Sequence, residues 1–262
     1  MIPSKRSHES YRIPKIIHLC WLSGDPFPED IQKCIDSWKA ILPEYKIILW
    51  DKNRFDINSV PYVKEAFEAK KYAFCADYIR IYALYKYGGI YLDSDVMVYK
   101  SFDPFLNLHA FASIEFHSYF MYAHISNKKE KLVGIEAAVL GSEKGASWLK
   151  DILDYYEGRH FSMKRKMIES NIMPRVIARI LHNKYGFEYF PIFQELKNGM
   201  NIYPAEVFSS IRAKGTIINY SAHLGANSWN YQQSKLKLLL RITLEKCGLI
   251  NIARKIRGIE KI

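Results

Sequence analysis

An α/β fold, with helices covering a parallel sheet, is predicted by three observations. Short apolar runs alternate with amphipathic helical periods through the first hundred residues. Proline and glycine stand at the ends of those periods, at Pro28, Pro43 and Gly88-Gly89. The last run of the series, Ile90-Tyr91-Leu92, is wholly apolar and ends in two acids, as a buried strand does when it emerges at a sheet rim.

The elements follow in order. Ile13 to Leu19 reads as the first strand, with Trp21 just beyond it. The carboxyl end of a first strand is where an α/β sheet meets its ligand, so Trp21 either stacks on a nucleotide base or fills the core. From Pro28 to Leu42, Ile31, Cys34, Ile35, Trp38, Ile41 and Leu42 recur at helical spacing. Tyr45 to Trp50 is the second strand, Asp51 and Asn53 open a loop, and Val60 to Lys70 is a second helix. Ala73 to Tyr87 contains no Gly or Pro, and Phe74, Tyr78, Ile81 and Tyr85 form one face. Gly88-Gly89 ends this helix by accepting backbone angles that other residues resist. Val96 to Tyr99 continues the strand after the acidic break.

Beyond Lys100 the pattern thins. Ala110 to Glu115, Tyr119 to His124, Ala137 to Leu140 and Thr216 to Tyr220 are strand-like, and Ser147 to Tyr156 is helical. Arg159 to Lys166 reads as a basic surface loop.

Asp93-Ser94-Asp95 carries the chemistry. Alternation in a strand puts the two carboxylates on one side and Ser94 on the other. Two such carboxylates repel unless a cation lies near them, and an oxygen-rich pair suits Mg or Mn better than Zn. The triplet alone is weak evidence, since exposed acidic turns are common. Asp77 and Arg80 share a face of the preceding helix. They are either a surface ion pair or an acid for a ribose or base and a guanidinium for a phosphate. His223 follows a strand-like run with Asn227, Ser228 and Trp229 close behind. That setting favours an approach to a diphosphate or metal over a purely structural histidine. The other histidines, His18 included, read as structural, and Glu115 and Glu136 have no assignable position.

Taken together, Ala76-Asp77-x-x-Arg80 and Tyr85-x-Tyr87-Gly88-Gly89-Ile90-Tyr91-Leu92-Asp93-x-Asp95 resemble the sugar-binding region of family 32 glycosyltransferases. They are similar also to the catalytic domains of clostridial glucosylating toxins. Ile13-Pro14-Lys15-Ile16-Ile17-His18-x-x-Trp21 resembles that family's first strand, and His223 to Trp229 its closing motif. The family often has Ser where Ala76 stands. The resemblance implies a GT-A fold, a Rossmann-like nucleotide-sugar-binding domain, with Mn2+ or Mg2+ and retention at the anomeric carbon. It implies that Asp95, Asp93, His223 and Ser228 serve the metal, with Asp95 bound directly. It implies that Trp21, Asp77, Arg80, Asp93, Ser94, His223, Ser228 and Trp229 hold the donor, with Asp95, Asp93 and Arg80 catalytic. A UDP-sugar is the expected donor, with GDP-mannose open, and the acceptor is a glycan or lipid-linked saccharide. The expected setting is surface polysaccharide or lipooligosaccharide synthesis.

Composition bounds these readings. The chain has 262 residues, 49% hydrophobic, which predicts one sizeable domain over 1–234 and a tail over 235–262. No long uncharged apolar span occurs, and the polar stretch Met1 to Arg12 lacks a signal core. The four cysteines are scattered, which fits a reducing, cytoplasmic setting. The net charge is +11, and residues 235–262 hold eight basic residues against Glu245 and Glu260. With Leu236, Leu239, Leu240, Ile252 and Ile256 interspersed, this reads as a basic amphipathic helix. It either meets an anionic membrane, at the inner face of the plasma membrane, or packs on the domain.

Two rivals stand beside the transferase. A metal-dependent phosphohydrolase would use Asp93 as nucleophile, but the haloacid dehalogenase pattern wants Thr where Met97 stands. A non-catalytic nucleic-acid- or membrane-binding module would use the positive charge and the 19 tyrosines. No nucleic-acid signature supports binding to nucleic acid, and none is expected.

Overall fold

Alternating strands and helices build the first half of the molecule as the periodicity predicts. In a computed structural model, which describes residues 11–115, 133–163, 172–209 and 218–225, β1 (Ile16–Cys20) leads to α1 (Glu29–Ile41) and β2 (Lys46–Trp50). Then come α2 (Pro61–Glu68), α3 (Tyr72–Tyr87), β3 (Gly89–Leu92) and β4 (Val96–Val98). Pro61 sits in the first turn of α2, where its missing N–H costs nothing. β5 (Ala110–Glu115) and β6 (Gly134–Ser142) are followed by α4 (Ser147–Tyr156) and α5 (Met173–Tyr185). β7 (Gln194–Glu195), β8 (Met200–Tyr203), α6 (Ala205–Phe208) and β9 (Ser221–His223) complete the described elements.

Seven strands form one sheet in the order β2-β1-β3-β6-β5-β8-β7. The expected parallel sheet is corrected to a mixed one. β1 pairs in parallel with β2 and β3, where α1, α2 and α3 supply the crossovers that parallel pairing needs. β6 then runs antiparallel to both β3 and β5, and β8 is parallel to β5. Val96 to Val98 does not extend β3. It pairs antiparallel with β9 in a second, two-stranded sheet. Of the strand expected over Thr216 to Tyr220, residues 218–220 are not strand and 216–217 lie outside the described residues; the strand that faces β4 is Ser221–His223.

Three core clusters clothe the sheet among the described residues, one of them, with Trp50, Val63, Cys75 and Ile79, between β2, α2 and α3. Ile81, Leu84, Trp148, Leu149, Ile177 and Leu181 pack beneath α3, α4 and α5. Ile31, Ile35, Trp38, Leu92, Val96, Phe111 and Phe208 pack on the other face with α1. α5 was not anticipated, although Met173, Val176, Ile177 and Leu181 recur at helical spacing between Pro174 and Gly186. The expected strand at 119–124, the tail at 235–262, Ser228 and Trp229 lie outside the described residues. The chain divides into units of 1–225 and 226–262, the second wholly outside them. Among the described residues no helix is long and apolar enough to cross a membrane.

Candidate functional site

The site is built at the carboxyl end of β3, and a glycine pair puts it there. The Gly88 N–H closes α3 on the Leu84 carbonyl at 2.8 Å, and its φ is +65°. Gly89, at φ +108°, runs so close to β1 that a Cβ would lie 2.6 Å from the Ile16 carbonyl oxygen. His18 locks the same junction, with Nε2–H donating to the Gly88 carbonyl at 2.8 Å and Nδ1 accepting from the Trp50 indole at 3.0 Å. It is fully buried and structural, as expected.

After Ile90, Tyr91 and Leu92, all buried, the chain turns. Asp93 to Asp95 is not strand, so strand alternation does not aim its carboxylates. A tight turn does, with Val96 N–H donating to the Asp93 carbonyl at 3.0 Å. Asp93 N–H donates to the Ala138 carbonyl at 2.9 Å, and Leu224 N–H to the Asp95 carbonyl at 3.0 Å. The turn is thereby tied to β6 on one side and to the segment after β9 on the other.

β9 brings His223 opposite Val96. Asp93, Asp95 and His223 each present one ligand atom, and these atoms all lie within 4.8 Å of one another. Ligand atoms around one small divalent ion sit roughly 3–4 Å apart, given bonds of about 2.1 Å. A small inward movement would therefore enclose such an ion. Two carboxylates and one imidazole fit Mn2+ or Mg2+, the imidazole tilting the set toward Mn. The group joins residues that sequence spacing could not join, 128 positions apart between Asp95 and His223.

His223 lies between two acids, with Nε2 3.3 Å from Asp95 Oδ1 and Nδ1 3.5 Å from Glu136 Oε1. Burial alone would push its pKa down, but Glu136 and Asp95 together raise it well above the ordinary imidazole value. Sequence reasoning left Glu136 unplaced. The signal was a charged residue inside the apolar run Gly134 to Leu140, all of it buried.

Arg80 occupies the floor. Its Nη2 lies 3.0 Å from Asp77 Oδ1 and its Nη1 3.3 Å from Asp93 Oδ1. Nη1 also donates to the Ala137 carbonyl at 2.6 Å and Nε to the Ala76 carbonyl at 3.2 Å. The guanidinium carbon stands 4.6 Å from the centre of the Tyr91 ring, whose hydroxyl donates to Asp93 at 2.8 Å. With its side chain 5% exposed, Arg80 holds the two acids in place. Burial raises the Asp77 carboxyl to about 7, more than Arg80 lowers it, and nearby Asp93 adds to the rise.

Trp21 and Ser94 are half-buried. Trp21 follows β1, whose register with β3 brings this end of both strands together. Its indole N–H donates to the Asp25 carbonyl at 2.7 Å, and its ring meets Phe27 edge-on at 4.9 Å. That leaves Trp21 on the rim that carries the acidic turn.

Residues 28–112 match the family model described as a glycosyltransferase sugar-binding region containing a DXD motif. That region holds Asp77, Arg80 and the Asp93–Asp95 turn. Inositol phosphoceramide mannosyltransferase 3 of Schizosaccharomyces pombe is 32% identical over 151 residues, 56% of this chain and 38% of its own length. Mannosyl phosphorylinositol ceramide synthase SUR1 of Saccharomyces cerevisiae is 29% identical over 202 residues, 69% of this chain and 50% of its own length. The chain thus spans half or less of these relatives. Among solved structures, PaToxG glycosyltransferase aligns over 66% of this chain and 70% of its own at 18% identity and a TM-score of 0.48. Galactosyltransferase LgtC, in complex with donor and acceptor sugar analogs, aligns over 73% and 74% at 15% identity and a TM-score of 0.39.

Proposed function

We propose that this chain is a metal-dependent glycosyltransferase that moves a hexosyl group, with retention, from a nucleotide-sugar to a glycan or lipid-linked saccharide. The observation that carries the reading is the convergence of Asp93, Asp95 and His223 within a matched sugar-binding region. The yeast relatives are named for mannosyl transfer, so GDP-mannose leads the candidate donors, with UDP-hexoses next.

A divalent ion bound by these residues supplies a Lewis acid for the diphosphate oxygens of the departing nucleotide. The chain's own residues do the rest. Asp95 and His223 Nε2 present the ligand atoms. Asp93, oriented by Arg80 and the Tyr91 hydroxyl, completes that set and faces the sugar and ribose. Asp77, paired with Arg80 on the same floor, offers its carboxyl to a sugar hydroxyl. Trp21 gives a flat apolar face to the base, and Ser94 a hydroxyl to the donor. Ser228 and Trp229 keep the donor-binding role that the sequence resemblance implies for them. The basic segment 235–262 draws the enzyme to an anionic membrane surface, so that the reaction runs in the cytoplasm at the inner membrane face and serves surface polysaccharide or lipooligosaccharide synthesis.

Thermal unfolding with a panel of UDP, GDP and their sugars, with and without Mn2+, tests this. A ligand bound only by the folded state raises the midpoint by mass action. One nucleotide should shift it in a Mn-dependent way, and Asp95→Asn should abolish that shift. Turnover with the same donor should fall about 10²–10³-fold, the scale for losing one group aimed at developing charge. Equal Mn-dependent shifts in the wild type and Asp95→Asn would refute the assignment.

A further inference from the structure

Glu136 reaches this site through an irregularity in the sheet. Ala112 of β5 pairs with Leu140 of β6, and Ile114 with Ile135, so two steps along β5 match five along β6. The extra residues form a bulge, which re-aims side chains. Leu140 and Ala137 belong to the core beneath α3 and α4, while the neighbours Ala138 and Val139 both belong to the core beneath α1. Strict alternation back from Leu140 would send residue 136 to the α3 side. The bulge reverses the parity and turns Glu136 to the α1 side, where β4 and β9 lie.

There its Oε1 accepts from Ala138 N–H at 3.0 Å, which fixes the carboxylate, and stands 3.5 Å from His223 Nδ1. Both acids flanking His223 are buried, Glu136 and Asp95 each 8% exposed. A buried carboxylate at the rear nitrogen of an imidazole whose front nitrogen meets Asp95 is the arrangement that orients a metal-binding histidine.

We propose that Glu136 is a positioning residue of the metal site. It holds the proton on His223 Nδ1, fixes the ring, and leaves Nε2 to meet the cation beside Asp93 and Asp95. The proposal rests on the metal reading above, but its test separates the two. Mn2+ binding to the full chain is titrated by the solution paramagnetic resonance signal of free Mn2+. The proteins are wild type, Asp95→Asn, Glu136→Gln, His223→Ala and the Glu136→Gln/His223→Ala pair. Glu136→Gln should weaken Mn2+ binding about 10-fold or more, the range for losing an outer-shell partner, with the metal-free unfolding midpoint unchanged. In the His223→Ala background it should cost nothing further, since Glu136 acts through the histidine. The nitrogen modulation of the bound-Mn echo signal should vanish in His223→Ala and weaken in Glu136→Gln.

Wild-type affinity in Glu136→Gln, with Asp95→Asn impaired, would overturn this inference and leave the metal reading standing. The same loss with or without His223 would also overturn it, by reducing Glu136 to a nearby charge. Failure of the wild type to bind Mn2+ would overturn both. If Glu136→Gln lowers the metal-free midpoint, Glu136→Asp enters the same cycle, with the carboxylate drawn back from Nδ1 by one methylene.

Discussion

At the scale of single residues, the molecule separates groups that must stay neutral from groups that must stay charged. His18 is of the first kind. Its ring donates to Gly88 and accepts from Trp50, so only the neutral tautomer satisfies both contacts. Burial lowers its pKa to about 4, the Gly88 carbonyl opposing and Arg54 reinforcing the shift. Unfolded, the same imidazole takes its proton near pH 6.5. Stability from this residue is therefore complete above about pH 6.5 and drains away as pH falls toward 4. The loss amounts to about 3 kcal/mol across that window, from 1.36 kcal/mol per pK unit. His18→Gln keeps a donor and an acceptor without titrating. Urea unfolding of both proteins at several values between pH 7.5 and 4 should show the wild type's advantage shrinking with acidity. A gap independent of pH would contradict the shift. Arg80 is of the second kind, a buried cation paired with two acids.

At the scale of elements, the α3–β3 junction decides where the acids emerge. Gly89→Ala would combine an unfavourable φ with a Cβ 2.6 Å from a backbone oxygen that cannot swing aside. Gly145 also has positive φ, +74°, but open space around it. Gly145→Ala should therefore cost only backbone strain, about 1 kcal/mol, and Gly89→Ala about 2–4 kcal/mol, read by chemical denaturation. Equal costs would mean that close approach to β1 is not what requires glycine at 89. This junction was legible in sequence because its cause is local. A periodic face ends at two glycines and a short apolar run follows, and α1 was readable for the same reason. The turn at Asp93–Asp95 was half legible. The acids were plain, but their convergence depends on Ala138 and Leu224, which come from other elements. For Glu136 the sequence showed only a charge inside an apolar run and not where it points, since the bulge that aims it exists only in the pairing of β5 with β6. The mixed sheet was hidden likewise, because an apolar strand carries no mark of its neighbour's direction. α5 carries the same local marks, a helical period bounded by Pro174 and Gly186.

At the scale of the whole chain, charge is the property that local structure leaves unexplained. The net charge is +11, and residues 235–262 carry a surplus of six positive charges, more than half of it. The catalytic reading needs few of these, since the described site is itself acidic. An anionic leaflet attracts each nearby Lys or Arg by about 1 kcal/mol, and the attraction decays within a Debye length of about 10 Å at 0.1 M salt. Several bases together suffice for reversible binding, and the interspersed leucines and isoleucines add apolar contact that salt does not screen. The full chain should therefore co-sediment with phosphatidylglycerol-containing vesicles at 0.1 M salt and largely release at 0.5 M. It should bind phosphatidylcholine vesicles weakly at either salt. Replacing Lys235, Lys237 and Arg241 by Glu should remove most of the anionic-vesicle binding while leaving Mn2+ affinity intact. Undiminished binding by that triple variant would move the membrane contact to another surface. No binding by the wild type would leave the segment's charges to serve the solvated face of an ordinary packed helix. That second outcome would leave the donor and metal chemistry of Asp93, Asp95 and His223 untouched, because none of those residues lies within the basic segment.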